Sequence, residues 1–335
     1  MNTKELVDYV TKMPKVELHV HIEGTLEPEL MCSLAKKHNI ILPYANINEI
    51  KAAYKFDDLQ SFLDLYYQGA NVLIEEDDFY QLMRSYLLKC VKQNIVHTEI
   101  MFDPQTHTQR GITYSVFMTG FQRAIDEIKT TYDISVYLIL SFLRHLDESD
   151  AIKTLTDAKE YYSLIKAVGL DSSELGNPPD KFRHVFATAK SLGFKLVAHA
   201  GEEGPPQYIW DALKILNVDR IDHGVRCIED SVLIKYLANE QIALTVCPLS
   251  NVKLQVVSKL SEHNLKTLMN LGLLVTVNSD DPSYFGGYLN DNYIGLIKEL
   301  TMDRLDIDKL LINSFKASFL PDLEKNSWIS TIANR

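Results

Sequence analysis

Four short stretches carry side chains of the types that hold metal ions or move protons. His19 and His21 lie in Val16-Glu17-Leu18-His19-Val20-His21-Ile22-Glu23-Gly24, which reads as a short strand ended by glycine. Strand side chains alternate between faces, so both imidazoles point the same way and can grip one ion. With 10 His in 335 residues, an H-x-H arises by chance in roughly one such sequence in three or four, so the pair is a weak signal by itself. The other stretches are His199-Ala200-Gly201-Glu202, Asp222-His223-Gly224 and Ser279-Asp280-Asp281-Pro282. His19, His21, His199 and Asp280 make a mixed nitrogen and oxygen set of the kind that binds Zn²⁺ with one position left for water. A metal so held lowers the pKa of bound water toward about 7. Two further groups then become useful: a base or orienter, which suits His223, and a proton donor to the leaving side, which suits Glu202. Asp281 is placed to accept a hydrogen bond from a substrate N–H. The set contains no thiolate and fits Zn²⁺, with Fe²⁺ and Mn²⁺ left open.

These residues need a scaffold that brings them to one rim. Apolar, β-rich runs recur at 16–21, 95–102, 134–142, 167–172, 195–201, 220–225, 242–247 and 274–279, with helical spacing between them. Eight alternations without a break in composition predict one domain over 1–335, an α/β (β/α)8 TIM-type barrel. An open doubly wound sheet would carry a Gly-rich phosphate loop after its first strand, and none is present. Every polar residue named above falls at the carboxyl end of its strand, the end where barrel enzymes place function. The first connection is long, about 30–92, and contains helix-like runs at 30–38, 59–70 and 79–92. It predicts a helical insertion over that rim, serving either as a lid or as padding. Residues 305–335 read as terminal helices closing the barrel.

Composition removes several classes. A net charge of −11 disfavours nucleic acid or an anionic membrane as partner, because phosphates must be met by Lys and Arg. Cys32, Cys90, Cys227 and Cys247 are scattered without a C-x-x-C pair, consistent with reduced thiols. The amino-terminal residues lack the apolar run of a secretory signal, and no stretch approaches the roughly 18 apolar residues of a membrane span. A soluble cytoplasmic protein is expected, with homo-oligomerisation left open.

Six blocks then identify a resemblance: HVHIEGTLEPEL at 19–30, LDSSELGNPPDKF at 170–182, HAGEEGPP at 199–206, RIDHG at 220–224, CPLSN at 247–251 and VNSDDPSYFGGY at 277–288. Together they resemble the adenosine/adenine deaminase family of the amidohydrolase superfamily, almost end to end. The resemblance implies one zinc per chain on His19, His21, His199 and Asp280, with Glu202 donating a proton to purine N1. It implies that His223 activates or orients the water and that Asp281 holds N7. Adenosine-specific members usually carry Asp where this chain has Glu23, and the extra methylene would intrude on ribose. The implied substrate is therefore the free base: adenine and water giving hypoxanthine and ammonia. Adenosine or N6-substituted adenines such as isopentenyladenine are the alternatives. Ser173, Glu174 and Gly176 are expected near the base, without assigned roles.

Other readings carry less. His97-Thr98-Glu99 matches the H-x-E of cytidine-type zinc deaminases, but those also need P-C-x-x-C, and Cys247-Pro248 has the wrong order. His107 draws attention because it lies near the second strand. His38, His145, His184 and His263 read as surface or packed histidines, and Cys247 as a small core residue. Phe62, Tyr66 and Tyr67 recur at helical spacing and read as core packing ahead of a base-stacking lid. A two-metal amidohydrolase would need a carboxylated Lys at the end of the fourth strand, where Leu170-Asp171-Ser172-Ser173-Glu174 has none. A catalytically dead purine-binding protein would be expected to have lost a ligand, the acid or the base, and all are present.

Overall fold

The computed structural model describes residues 1–335. Eight strands, β1 (Lys15–His21), β2 (Ile95–Phe102), β3 (Ser135–Leu143), β4 (Ile165–Asp171), β5 (Lys195–Ala200), β6 (Arg220–His223), β7 (Ala243–Val246) and β8 (Leu274–Val277), pair in chain order. All seven adjacent pairs are parallel. The ring closes between β8 and β1, where Val20 bridges Asp280 in parallel. Side chains complete that seam: Asn278 Oδ1 accepts from Leu18 N at 2.9 Å, and Glu17 Oε1 accepts from Ser279 N at 3.0 Å. The fold is a (β/α)8 barrel, and the end of every strand falls within two residues of that expected from the sequence, with the carboxyl ends of β6 and β8 shorter by two.

The strands were legible because parallel barrel strands are covered on both faces and so read as apolar runs; every residue of β1 is buried. Met101, Ile139, Ala167 and Val197 form a small inner layer, from four successive strands, inside the larger core. Below it, Arg220 pairs with Glu99 at 2.7 Å, and His97 lies 3.2 Å from Glu99. Glu99 thus holds a buried guanidinium, and His97 belongs to this ionic group in the barrel wall.

Between β1 and β2 lie four helices: Pro28–Lys37, Ile47–Ala53, Leu59–Ala70 and Glu76–Lys92. Leu59–Ala70 starts at Asp58, whose side chain accepts from Ser61 N in a reciprocal capping box. Its buried Leu59, Phe62, Leu63 and Tyr66 recur at three- and four-residue spacing, which puts them on one face. That face lies over the carboxyl rim of the barrel, where Phe62 packs on Phe285 with centroids 4.7 Å apart. Phe62, Tyr66 and Tyr67 therefore both pack and line the cavity beneath. Arg304–Ala317 and Asp322–Ala333 are the terminal helices. No helix is long and apolar enough to cross a membrane.

Candidate active site

Closure of β8 on β1 fixes the first three polar side chains. His21 N donates to Asp280 O at 3.0 Å and Asp280 N donates to His19 O at 3.1 Å. Asp280 (φ 66°) and His223 (φ 61°) both have left-handed backbone. That conformation costs a non-glycine residue about 1 kcal/mol or more, and such strain clusters at functional sites. Gly24 is needed for a different reason: a Cβ there would overlap the Asp281 carboxylate.

The rim brings His19, His21, His199 and Asp280 together, one donor atom from each within 4.8 Å of the others and all four residues buried. His19 Nε2 is 3.2 Å from Asp280 Oδ1, and His21 Nε2 is 3.2 Å from His199 Nε2. His19 Nε2 is buried without a hydrogen-bond partner, a costly condition unless another ligand satisfies it. The opposite ring nitrogens are held. His199 Nδ1 donates to Leu170 O at 3.0 Å. His19 Nδ1 donates to Thr245 Oγ1 at 3.0 Å, and Thr245 passes its own proton to Asp222 Oδ1 at 2.7 Å. These partners set the tautomer that leaves each Nε2 lone pair free, the arrangement found behind metal-bound imidazoles. Burial pushes the Asp280 carboxyl up, but His19 and its neighbours outweigh this and hold it well below the usual range. The four residues form a candidate metal site.

A second grouping, His19, His223, Cys247 and Asp280, is equally compact. Burial pushes the Cys247 thiol well above its ordinary value, and Sγ faces Thr245 O at 3.6 Å. A protonated thiol is a poor ligand, so the first grouping fits an ion better.

His223 Nε2 faces Glu202 Oε1 at 3.5 Å and Asp280 Oδ2 at 3.7 Å. Burial lowers the His223 pKa to about 3, partly opposed by Asp280, so its imidazole is neutral. Behind it runs a relay missed in the sequence. Asn251 Nδ2 is 3.3 Å from His223 Nδ1, and Asn251 Oδ1 is 3.1 Å from His263 Nε2. The relay ends where Leu265 N donates to His263 Nδ1 at 3.0 Å. His263 is thus a packed histidine with a defined partner at each nitrogen.

Glu202 is buried, and its Oε1 has no hydrogen-bond partner. Burial, then the charges of Asp280, Glu174 and Glu203, raise its carboxyl well above the ordinary range, which favours the protonated form. Glu174 holds the loop that presents it. Its Oε1 accepts from Gly201 N at 2.6 Å, while its Oε2 accepts from Glu202 N at 3.1 Å and from Glu203 N and Gly204 N at 2.7 Å each. Four successive amides around one carboxylate form an anion-binding nest. No motif spacing announces that role, since Glu174 and Gly201 come from different strands' loops.

Asp281 lines the cavity above the quartet together with Asp103, Asp171 and Ser172. Glu23 does not line it. Glu23 Oε1 accepts from His107 Nε2 at 2.8 Å and from Asp103 N at 3.3 Å, which places it behind Asp103. This gives His107 its partner. Ser173 donates to Gln60 Oε1 at 2.6 Å, and Gly176 sits in an exposed turn with φ 79°; neither lines the cavity.

The family profile described as adenosine deaminase matches residues 14–335. An adenine deaminase from Acinetobacter baylyi is 55% identical over 332 residues, covering 99% of each chain. One from Wolinella succinogenes is 53% identical over 327 residues, covering 98% of this chain and 99% of the relative. The crystal structure of an adenine deaminase from Arthrobacter aurescens superposes with a TM-score of 0.94 at 45% identity, over 96% of this chain and 98% of the other. A strand order, a rim with four candidate metal donors and full-length relatives above half identity agree, and the chain belongs to the adenosine deaminase family.

Proposed function

We propose that this chain hydrolyses adenine to hypoxanthine and ammonia, using one zinc ion on His19, His21, His199 and Asp280. The observation that carries the reading is that a buried carboxyl, Glu202, whose surroundings favour its protonated form, faces the same small cavity as His21, His199 and Asp280 of that quartet. Full-length relatives named adenine deaminase support the choice of substrate. Three imidazoles and a carboxylate suit Zn²⁺ with an open position. Such an ion, when bound, supplies Lewis acidity that makes a water nucleophilic near neutral pH.

The chain's own groups do the rest. Carbon C6 of an aminopurine is a poor electrophile, and Glu202 corrects this by delivering its proton to N1 as the water oxygen adds to C6. Burial tunes Glu202 for that task, since a desolvated carboxyl keeps its proton to a higher pH. His223 orients the water by donation. The Leu265 amide can only donate, so His263 Nδ1 accepts, Asn251 Oδ1 accepts from His263, and Asn251 Nδ2 donates to His223 Nδ1. The proton of neutral His223 is then left on Nε2, facing Glu202 and Asp280. Asp281 positions the ring at N7. Neutral adenine has a single ring N–H, so with that hydrogen on N9 the N7 lone pair accepts from the Asp281 carboxyl. Burial, then Asp280, raises that carboxyl well above the ordinary range. Of the two water protons, one passes to N6, so that nitrogen leaves as ammonia when the C6–N6 bond breaks, and the other returns to the Glu202 carboxylate. Hypoxanthine remains, with oxygen on C6 and hydrogen on N1. The aromatic face of Leu59–Ala70 keeps bulk water out of the cavity during these steps. The whole chain acts as one hydrolase domain in the cytoplasm.

The test is ammonia release measured side by side on adenine, adenosine and isopentenyladenine. Adenine should give the highest kcat/KM, and preference for adenosine would overturn the reading.

A further inference from the structure

The wall of the cavity beside the quartet holds two carboxyl groups, Asp103 and Asp171, that the proposed reaction does not use. Asp171 ends β4 and is 2% exposed, and neither of its carboxylate oxygens has a hydrogen-bond partner. Asp103, also 2% exposed, follows β2; its Oδ2 accepts from Tyr66 at 2.9 Å, while Oδ1 has no partner. Both residues line the cavity. Alternation along β4 puts Asp171 on the same face as Ala167 of the inner layer, and at the carboxyl end of the strand that face opens on the cavity. His21 Nδ1 stands 3.5 Å from Asp171 Oδ2, beyond hydrogen-bond range. Three orphaned carboxylate oxygens in a buried wall call for a donor from the ligand, because an unpaired buried acceptor costs the full desolvation penalty.

We propose that Asp171, backed by Asp103, accepts the N–H at N9 of a free purine base and is the main reason a nucleoside is refused. The inference rests on the adenine reading and deepens it. With C6 at the quartet, N1 at Glu202 and N7 at Asp281, the remaining polar edge of the ring is N3 and N9. Adenine offers a donor at N9. Adenosine puts a carbon there, which removes the donor and drives a bulky group against a carboxylate. Glu23, turned away onto His107, shapes this wall from behind by bonding the Asp103 amide. The magnitude separates the two candidates. One methylene in a pocket discriminates by about 10- to 200-fold, whereas a site built to bond a substrate N–H rejects the analogue lacking it by about 10⁴–10⁵.

The experiment compares adenine with 9-methyladenine, in which only the N9 hydrogen is replaced, on wild type and Asp171→Leu, with zinc content measured for both. The leucine keeps the bulk and removes the acceptor. Wild type should favour adenine in kcat/KM by at least ~10³. Asp171→Leu should lose ~10²–10³ on adenine, change little on 9-methyladenine and retain its zinc, so that the ratio collapses toward ~10. Wild-type rates on the two purines within tenfold of each other would overturn the proposal without any variant. So would a variant that keeps its adenine activity, or one that loses zinc and both activities in parallel, which would make Asp171 a support for His21. A wild-type enzyme that releases ammonia from adenosine but not adenine overturns the underlying function, a result distinct from all of these.

Discussion

Asn251 Nδ2 lies 3.3 Å from His223 Nδ1, and the direction of that hydrogen bond is dictated by a backbone amide beyond it. A main-chain N–H cannot accept, so the Leu265 amide sets the polarity of every link from His263 to the cavity. His223 is thereby presented as a neutral imidazole with its proton on Nε2. Asn251→Ala should lower kcat by about tenfold or more with KM nearly unchanged. Asn251→Asp should cost more, because its carboxylate can only accept and draws the proton onto His223 Nδ1; a wrong tautomer alone costs about 10⁴ in a serine protease. Steady-state kinetics on the two variants, with ¹⁵N chemical shifts of His223, check both.

Glu202→Gln should keep its metal and bind base while kcat falls about 10²–10⁴, the usual worth of a positioned acid. Activity in wild type requires the protonated form. Because burial raises this carboxyl, activity should persist above the ordinary Glu pKa of about 4.3 and be lost as pH rises through the raised value. A kcat that already falls near pH 4 would contradict the assignment.

Glu174 is the single acceptor for the amides of residues 201–204. Glu174→Ala leaves these donors unsatisfied, at about 1–3 kcal/mol for each that stays buried. The expected outcome is a lower Tm, faster amide exchange at Gly201–Gly204 and reduced kcat with the metal retained. Gly204→Ala should act in the same direction, since its Cβ would press on the Glu174 carboxylate.

Removal of the metal should abolish turnover and lower the Tm, and re-addition of Zn²⁺ should restore both. A ligand that binds only the native state at 100 times its Kd stabilises by about 2.7 kcal/mol. Chelation followed by differential scanning calorimetry and metal analysis checks this, with one zinc per chain expected.

His263 supplies a pH dependence away from the quartet. Burial lowers its pKa to about 4 from an ordinary 6.5. Between those values the unfolded chain binds a proton that the folded chain does not, so stability falls as pH drops from about 6.5 to about 4 and then levels. The shift corresponds to about 3 kcal/mol. His263→Gln should flatten this part of the profile of unfolding free energy against pH, measured by denaturant titration.

The sequence by itself determined the barrel and the order of its parts. Doubly covered parallel strands must be apolar throughout, and that requirement is written locally in each run. It also marked His19, His21, His199, Glu202, His223, Asp280 and Asp281 as polar residues at strand ends, because the alternation of apolar runs and loops shows where each strand stops. Which polar group serves which was decided only by the tertiary structure. Glu23, two residues past the H-x-H, was expected against the substrate, yet the barrel turns it onto His107 and leaves Asp103 and Asp171 facing the cavity. Glu174 looked like a neighbour of the base and instead clamps the loop of Glu202. The links from Thr245 to Asp222 and from Leu265 through His263 to Asn251 likewise depend on contacts between different barrel connections or between side chains that packing alone aligns. Hydrogen bonds reach only about 3 Å, and closing eight strands into a ring brings residues more than 200 positions apart within that reach, a proximity that no local spacing encodes.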